Sequence, residues 1–326
     1  MNERKTMAQL RGFLKTHGRC RFLDDGAMTA DWSASGFSVR VRTDGEDFTV
    51  CTRSAEAVYL SLWVDGKEAL RPLIAEGEGS VTVTLGAGEH TVSVFRDSQI
   101  GKEKGLDLTG VIFGGEYLPR PENRRPYIEF IGDSISCGDG ALGVYRAGEK
   151  WVLSDHSATH GFPFFVADAA EADRSIVAIG GIGAVHQVGN FNMEQLYPYE
   201  NRYRFGTEPY DFKRVPDLVV LELGANDGRY TNEEYYGAIT RTIALIRKYN
   251  GANVPIVWFG RYERFEKLIR DYQEITGDPH FYAFRFHYGG SGSAALTTQT
   301  EGHPSAAEQK EAADALLAYL REQKLL

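Results

Sequence analysis

The chain has 326 residues, 42% of them hydrophobic and 25% charged, with a formal net charge of -9. That length accommodates two domains, and the composition is that of an ordinary globular protein. The acidic balance argues against non-specific nucleic-acid binding, and no run approaches the roughly 18 apolar residues of a membrane helix. Three widely spaced cysteines (Cys20, Cys51, Cys137) cannot all pair with one another and make no C-x-x-C motif.

Residues 1–20 place Met7, Leu10, Phe13 and Leu14 at helical spacing, which predicts a short N-terminal helical segment packed as an appendage. The segment is polar and basic and lacks the apolar run and small-residue cleavage site of a signal peptide, so the chain as given reads as cytoplasmic. From 21 to 118 the texture is that of short strands. Phe37–Val41, Ser80–Leu85 and His90–Phe95 alternate apolar with polar residues, and Val58–Val64 is a further strand, followed by the hairpin signal Asp65-Gly66. Another strand is expected from Leu106 to Phe113. Glycine-rich turns punctuate the segment, and no helical period intervenes. The pattern predicts an antiparallel β-sandwich or jelly roll with its own core.

Residues 119–126, rich in proline and charge, read as a linker. Beyond them strands alternate with helices. Strands are expected at Tyr127–Ile131, Ser175–Ile179, Asp217–Leu223, Val254–Phe259 and Phe281–Phe286. Helices are expected at Gly161–Ala172, Asn232–Tyr249, Glu263–Ile275 and Pro304–Gln323. Near-continuous apolar strands between helices imply an α/β domain over 127–326, with a parallel sheet covered on both faces. In such sheets functional groups collect beyond the carboxyl ends of the strands.

Four segments open onto that edge: Gly132-Asp133-Ser134, Gly180-Gly181, Gly224-Ala225-Asn226-Asp227 and Glu301-Gly302-His303-Pro304. A serine hydroxyl needs a base to become a nucleophile, and histidine titrates near neutral pH. Ser134 is the candidate nucleophile and His303, placed before a helix begun by Pro304, the candidate base. Glu301 could orient the imidazole. The backbone N–H groups of Ser134 and Gly181 and the amide of Asn226 could receive an oxyanion. Taken singly, each has a plain structural reading: a turn glycine, a helix cap at Asn226-Asp227, a surface histidine. Asp133, Tyr199 and Trp151 are further candidates for substrate contact. Tyr199 belongs to an aromatic loop with Tyr197, Tyr203, Phe205 and Tyr210 that could wall a sugar site, whereas Trp258 falls on a strand and reads as core.

Two other motifs point elsewhere. Gly138–Gly143 spells G-x-G-x-x-G, but a dinucleotide fingerprint opens directly into a helix and is followed by an acid after the second strand, where this chain has glycines. His156 and His160 are spaced for one helix face without the glutamate of H-E-x-x-H, so no metal or cofactor is expected. No G-x-S-x-G elbow is present.

Gly132-Asp133-Ser134-Ile135, Gly181, Gly224-Ala225-Asn226-Asp227 and His303-Pro304 together resemble the four blocks of the SGNH (GDSL-type) hydrolase superfamily. The β-sandwich upstream of Ile128–Ile135, with Cys137-Gly138 after it, resembles carbohydrate esterase family 2. So do Asp31–Phe37, Gly88–Val92 and Pro216–Val220. The resemblance implies a jelly roll joined to a flavodoxin-like hydrolase domain. It implies a serine esterase that removes acetyl or similar small acyl groups from a mono-, oligo- or polysaccharide, with Ser134 as nucleophile, His303 as base and Gly181 and Asn226 in the oxyanion hole. The familiar SGNH aspartate three residues before the histidine is Thr300 here, and Gly180 stands where serine is usual. Either Glu301, two residues before His303, or a backbone carbonyl would then orient the base. Many family 2 enzymes are exported, and this chain shows no export signal. A lipolytic or thioester hydrolase and a carbohydrate-binding protein without catalysis are the alternative readings.

Overall fold

The computed structural model describes residues 3–98, 105–121, 124–143, 152–200, 208–260, 263–288 and 303–326. It divides into two compact units, Met1–Arg124 with Glu200–Glu208, and Arg125–Tyr199 with Pro209–Leu326.

The first unit contains, in chain order, β1 (Arg4–Lys5), helix α1 (Met7–Leu10), β2 (Lys15–His17), β3 (Met28–Thr29), β4 (Gly36–Asp44), β5 (Asp47–Ser54) and β6 (Val58–Val64). It continues with β7 (Lys67–Leu70), β8 (Leu73–Ile74), β9 (Gly77–Thr84), β10 (Ala87–Arg96), β11 (Leu106–Ile112) and β12 (Glu116–Leu118). They pair antiparallel in two sheets. One has the order β1-β11-β5-β9 with β3 beside β11, and the other β12-β4-β10-β6-β7 with β2 on β4 and β8 on β6. Alternation drives the arrangement. Phe37 and Val39 of β4 lie opposite Val94 and Val92 of β10. They share one buried cluster with Phe48 and Val50 of β5, Leu60 and Leu62 of β6, and Leu108 and Val111 of β11. Asp65 and Gly66 both adopt positive φ, 50° and 77°, as a two-residue hairpin between β6 and β7 requires.

Two expectations change here. Among the described residues 3–20 there is one turn of helix rather than a helical appendage, with Thr6 and Gln9 closing a capping box. The strands on either side join opposite sheets, β1 along β11 and β2 along β4. Met7, Leu10 and Leu14 have helical spacing because each reaches the sandwich core. The second change is β5, to which the sequence reading assigned no element. It lies between β11 and β9 in its sheet, and its apolar alternation stops after Phe48 and Val50, where Cys51, Thr52, Arg53 and Ser54 follow.

The second unit carries β13 (Tyr127–Gly132), α2 (Phe162–Ala169), β14 (Asp173–Ala178), α3 (Met193–Leu196), β15 (Leu218–Glu222), α4 (Asn232–Asn250), β16 (Ile256–Gly260), α5 (Glu263–Thr276), β17 (Phe281–Arg285) and α6 (Ala306–Glu322). Its sheet is parallel, in the order β14-β13-β15-β16-β17. Every residue of β13, β15 and β16 is buried, which explains their unbroken apolar sequences. The chain steps outward from β13 to β14, then returns past β13 to build β15, β16 and β17. Right-handed crossovers in these two directions place α2 on one face and α4 and α5 on the other. Helix α6 packs with α2. The carboxyl ends of β13, β14 and β15 come level at Gly132, Ala178 and Glu222. Among the described residues no helix is long and apolar enough to cross a membrane.

Candidate active site

At the end of β13 the chain passes through Gly132 because nothing larger fits. A Cβ there would lie 2.0 Å from Ser136 Oγ and 3.1 Å from the Glu222 carbonyl oxygen. A series of turns follows in place of a helix. Asp133 Oδ1 accepts the Ile135 N–H at 3.0 Å. The Asp133 carbonyl accepts from Cys137 at 3.1 Å, and the Ser134 carbonyl from Asp139 at 2.9 Å. Ser136 Oγ donates to Glu222 Oε2 at 3.0 Å, tying the loop to the end of β15. Ser134 is thus held at a fixed position with 7% of its surface exposed. Gly138–Gly143 belongs to this turn series, and among the described residues the next α-helix is Phe162–Ala169.

His303 approaches from the far end of the chain. Helix α6 begins at Ala306, two residues later than the expected Pro304 start. Ser305 is its N-cap and forms a capping box with Glu308, so the cap rather than the proline sets the boundary. The Ala306 N–H donates to the Ala141 carbonyl at 2.8 Å. Gln309 accepts the Phe162 N–H on Oε1 at 2.9 Å and donates from Nε2 to the Ile135 carbonyl at 3.1 Å. These bonds seat the start of α6 on the serine loop, and His303 Nε2 lies 2.8 Å from Ser134 Oγ. When Nε2 accepts the hydrogen bond from the hydroxyl, the neutral ring carries its proton on Nδ1.

The opposite side is built from the ends of β14 and β15. Gly181 has φ 81°, a left-handed conformation open to glycine at no steric cost. Among the described residues, neither its N–H nor that of Ser134 is taken by an acceptor. Asn226 Nδ2 donates to the Ile182 carbonyl at 2.8 Å and lies 3.4 Å from Asp133 Oδ2. Bonding to Ile182 fixes the amide plane, and the second hydrogen lies on the long contact to Asp133 Oδ2.

Asp227 is the residue that sequence reasoning passed over. It is fully buried, and its carboxylate accepts the N–H groups of Ala184, Val185 and His186 at 2.9, 3.0 and 2.8 Å. Residues 226 and 227 therefore hold the whole 182–186 loop from one side. Helix α4 takes its cap from Thr231, not from Asn226-Asp227. The only signal of this role in the sequence was an acid placed directly after Asn226.

The structure links Ser134, His303, Asn226 and the Gly181 loop through these contacts. Asp133 is fully buried, and its carboxylate accepts from Ile135 and Asn226. Tyr199 is half-buried, and its backbone is tied to Leu196 and Pro209. Glu301 and Trp151 lie outside the described residues. His156 and His160 share no helix face. They sit on separate 3-10 turns, His156 against Asp139 at 2.8 Å and His160 against Ser157 Oγ at 2.8 Å. No group of three or more potential metal ligands occurs among the described residues. Trp258 is buried on β16, and burial pushes the hydroxyl of its neighbour Tyr235 well above the usual tyrosine range.

Comparison with known proteins extends these observations. Residues 16–121 match the family model described as carbohydrate esterase 2 N-terminal. A cellulase/esterase, CelE, of Acetivibrio thermocellus is 28% identical over 222 residues, 65% of this chain but only 26% of that longer protein. An acetylxylan esterase/glucomannan deacetylase of Cellvibrio japonicus is 22% identical over 92% of this chain and 88% of its own length. Among solved structures, a family two carbohydrate esterase from Clostridium thermocellum in complex with cellohexaose superposes with a TM-score of 0.84 at 23% identity, covering 96% of this chain and 100% of that one. An acetyl xylan esterase from Butyrivibrio proteoclasticus superposes at 0.86 and 21% identity over 99% of each chain. Residues 16–121 thus match the carbohydrate esterase 2 N-terminal model, and the chain has the fold of the family two carbohydrate esterases.

Proposed function

We propose that the chain is a serine esterase that removes acetyl or similar small acyl groups from a carbohydrate. The observation that carries this reading is the 2.8 Å hydrogen bond between His303 Nε2 and Ser134 Oγ, formed by residues 169 positions apart. Such a bond serves general-base activation of a hydroxyl. In this reading Ser134 Oγ attacks the acyl carbonyl carbon while its proton passes to His303 Nε2. The oxyanion is received by the N–H groups of Ser134 and Gly181 and by Asn226 Nδ2, which gives up its long contact to Asp133 for it. Collapse expels the sugar oxygen, which takes the proton from His303 and leaves an acyl-Ser134. Water, deprotonated by the same imidazole, then hydrolyses that ester. Glu301 or a backbone carbonyl orients His303. The substrate class is supported by the relatives, which include an acetylxylan esterase/glucomannan deacetylase and an esterase crystallised with cellohexaose.

The test is hydrolysis of a small aryl acetate and of acetylated xylo- and glucomanno-oligosaccharides, with long-chain acyl esters as the contrast. Ser134→Ala is expected to abolish turnover with an unchanged circular dichroism spectrum, and His303→Ala to lower kcat by a factor of about 10³ or more. Glu301→Gln is expected to cost less than His303→Ala. Undiminished hydrolysis by Ser134→Ala would overturn the mechanism, and equal losses for the other two variants would make Glu301 a full triad member.

A further inference from the structure

A second polar cluster sits immediately beside the Asn226–Asp227 clamp. Arg229 is exposed, and one terminal nitrogen of its guanidinium donates to His186 Nδ1 at 2.7 Å and to the Tyr230 hydroxyl at 3.0 Å. The guanidinium carbon lies 5.1 Å from the centre of the Tyr230 ring. Arginine is only ever a donor, so Nδ1 of His186 accepts in this contact. His186 is itself fixed, because its backbone N–H ends on Asp227 Oδ1 at 2.8 Å. No carboxylate pairs with Arg229 among the described residues, although the chain carries 45 acidic residues against 36 lysines and arginines. An exposed, oriented guanidinium without an acidic partner retains most of its fork of donors. Arg229 lies three positions after Asn226, a span of at most about 11 Å along the chain.

We infer that Arg229, positioned by His186 and Tyr230, forms a subsite for a carboxylate carried by the saccharide, so that acetyl groups near a uronic acid are removed in preference to those on neutral stretches. The inference rests on the esterase reading of Ser134. A planar carboxylate matches the two parallel N–H groups that a guanidinium offers. The Tyr230 ring supplies an apolar face beside the charge.

The experiment compares an acetylated xylo-oligosaccharide bearing one glucuronic acid with the same compound methyl-esterified at that carboxylate. The wild-type protein is expected to show a kcat/KM about three- to tenfold higher for the free acid, the size expected of a charge-assisted hydrogen bond at an exposed position. The preference should shrink as salt is raised. Arg229→Gln is expected to remove the preference and leave aryl acetate hydrolysis unchanged. Equal rates on acid and methyl ester in the wild type, or a preference that survives in Arg229→Gln, would overturn the subsite. Binding of the deacetylated acid and its methyl ester is measured in parallel by titration calorimetry. If no ester is hydrolysed at all, the esterase reading fails, and the Arg229-dependent difference in affinity still decides the subsite.

Discussion

Ser134 and His303, the proposed nucleophile and base, stood out in the sequence because each sits in a short local block: a serine after a strand, a histidine before a helix. Asp227 was not legible, because its role is defined by partners 41 to 43 positions away whose backbone N–H groups carry no signature in the sequence. Its geometry yields a prediction. In Asp227→Asn one oxygen becomes an NH2 facing backbone donors, so at least one of the three bonds is lost and the 182–186 loop shifts. Because Ile182 orients Asn226, the loss should fall on kcat, by about 10- to 100-fold for aryl acetate, with KM changed much less. A merely structural role would instead leave kcat per folded molecule unchanged and appear only in the unfolding midpoint. Asp133 differs from its neighbour Ser134, because successive residues of a tight turn point in different directions and its carboxylate accepts from Ile135 and Asn226.

At the scale of elements, periodicity marked most strands and helices, and the errors have identifiable causes. Helix α6 starts at its capping box rather than at its proline, and the N-terminal apolar spacing belongs to a segment threaded along both sheets. The β6–β7 hairpin supplies a pH prediction. His90 donates from Nδ1 to Asp65 at 2.7 Å and from Nε2 to the Gly86 carbonyl at 3.0 Å, so its doubly protonated ring is fully satisfied. The Asp65 hydrogen bond raises the His90 pKa above 6.5, although partial desolvation opposes it. Asp65 is held below the usual carboxylate range: desolvation opposes this, but the Thr91 N–H and His90 outweigh it. The histidine contribution is complete below its unfolded pKa and fades as pH rises through the raised folded value. The aspartate contribution is complete above its unfolded pKa and fades as pH falls through the lowered one. The pair therefore stabilises the hairpin between these limits. An NMR titration of the His90 ring should show a midpoint above 6.5, returning towards it in Asp65→Asn.

At the scale of the molecule, the alternation of strands and helices was enough to predict a sandwich followed by a parallel α/β unit. The strand order was not readable from composition or period, because it depends on which crossover turns back at β13. That reversal places the candidate site. It brings the ends of β13, β14 and β15 level, and α6 then has only to deliver His303. The delivery depends on Gln309. Gln309→Leu would leave the Phe162 N–H and the Ile135 carbonyl buried without their partner, at a cost of about 2–4 kcal/mol in a urea unfolding experiment. Activity should fall by more than the lost folded fraction, since Ile135 adjoins Ser134. An unchanged urea midpoint would show that the loop is held elsewhere.

The bond pattern at Gln309 has a consequence for which sequences can build this site. The position must accept from one segment and donate to another through a single side chain. Glutamate of the same length accepts but cannot donate when ionised, lysine and arginine donate but cannot accept, and asparagine is one methylene short. One position on a helix surface thus has nearly its whole alphabet excluded by two backbone groups, so the serine loop and the histidine-bearing helix cannot drift apart in sequence independently.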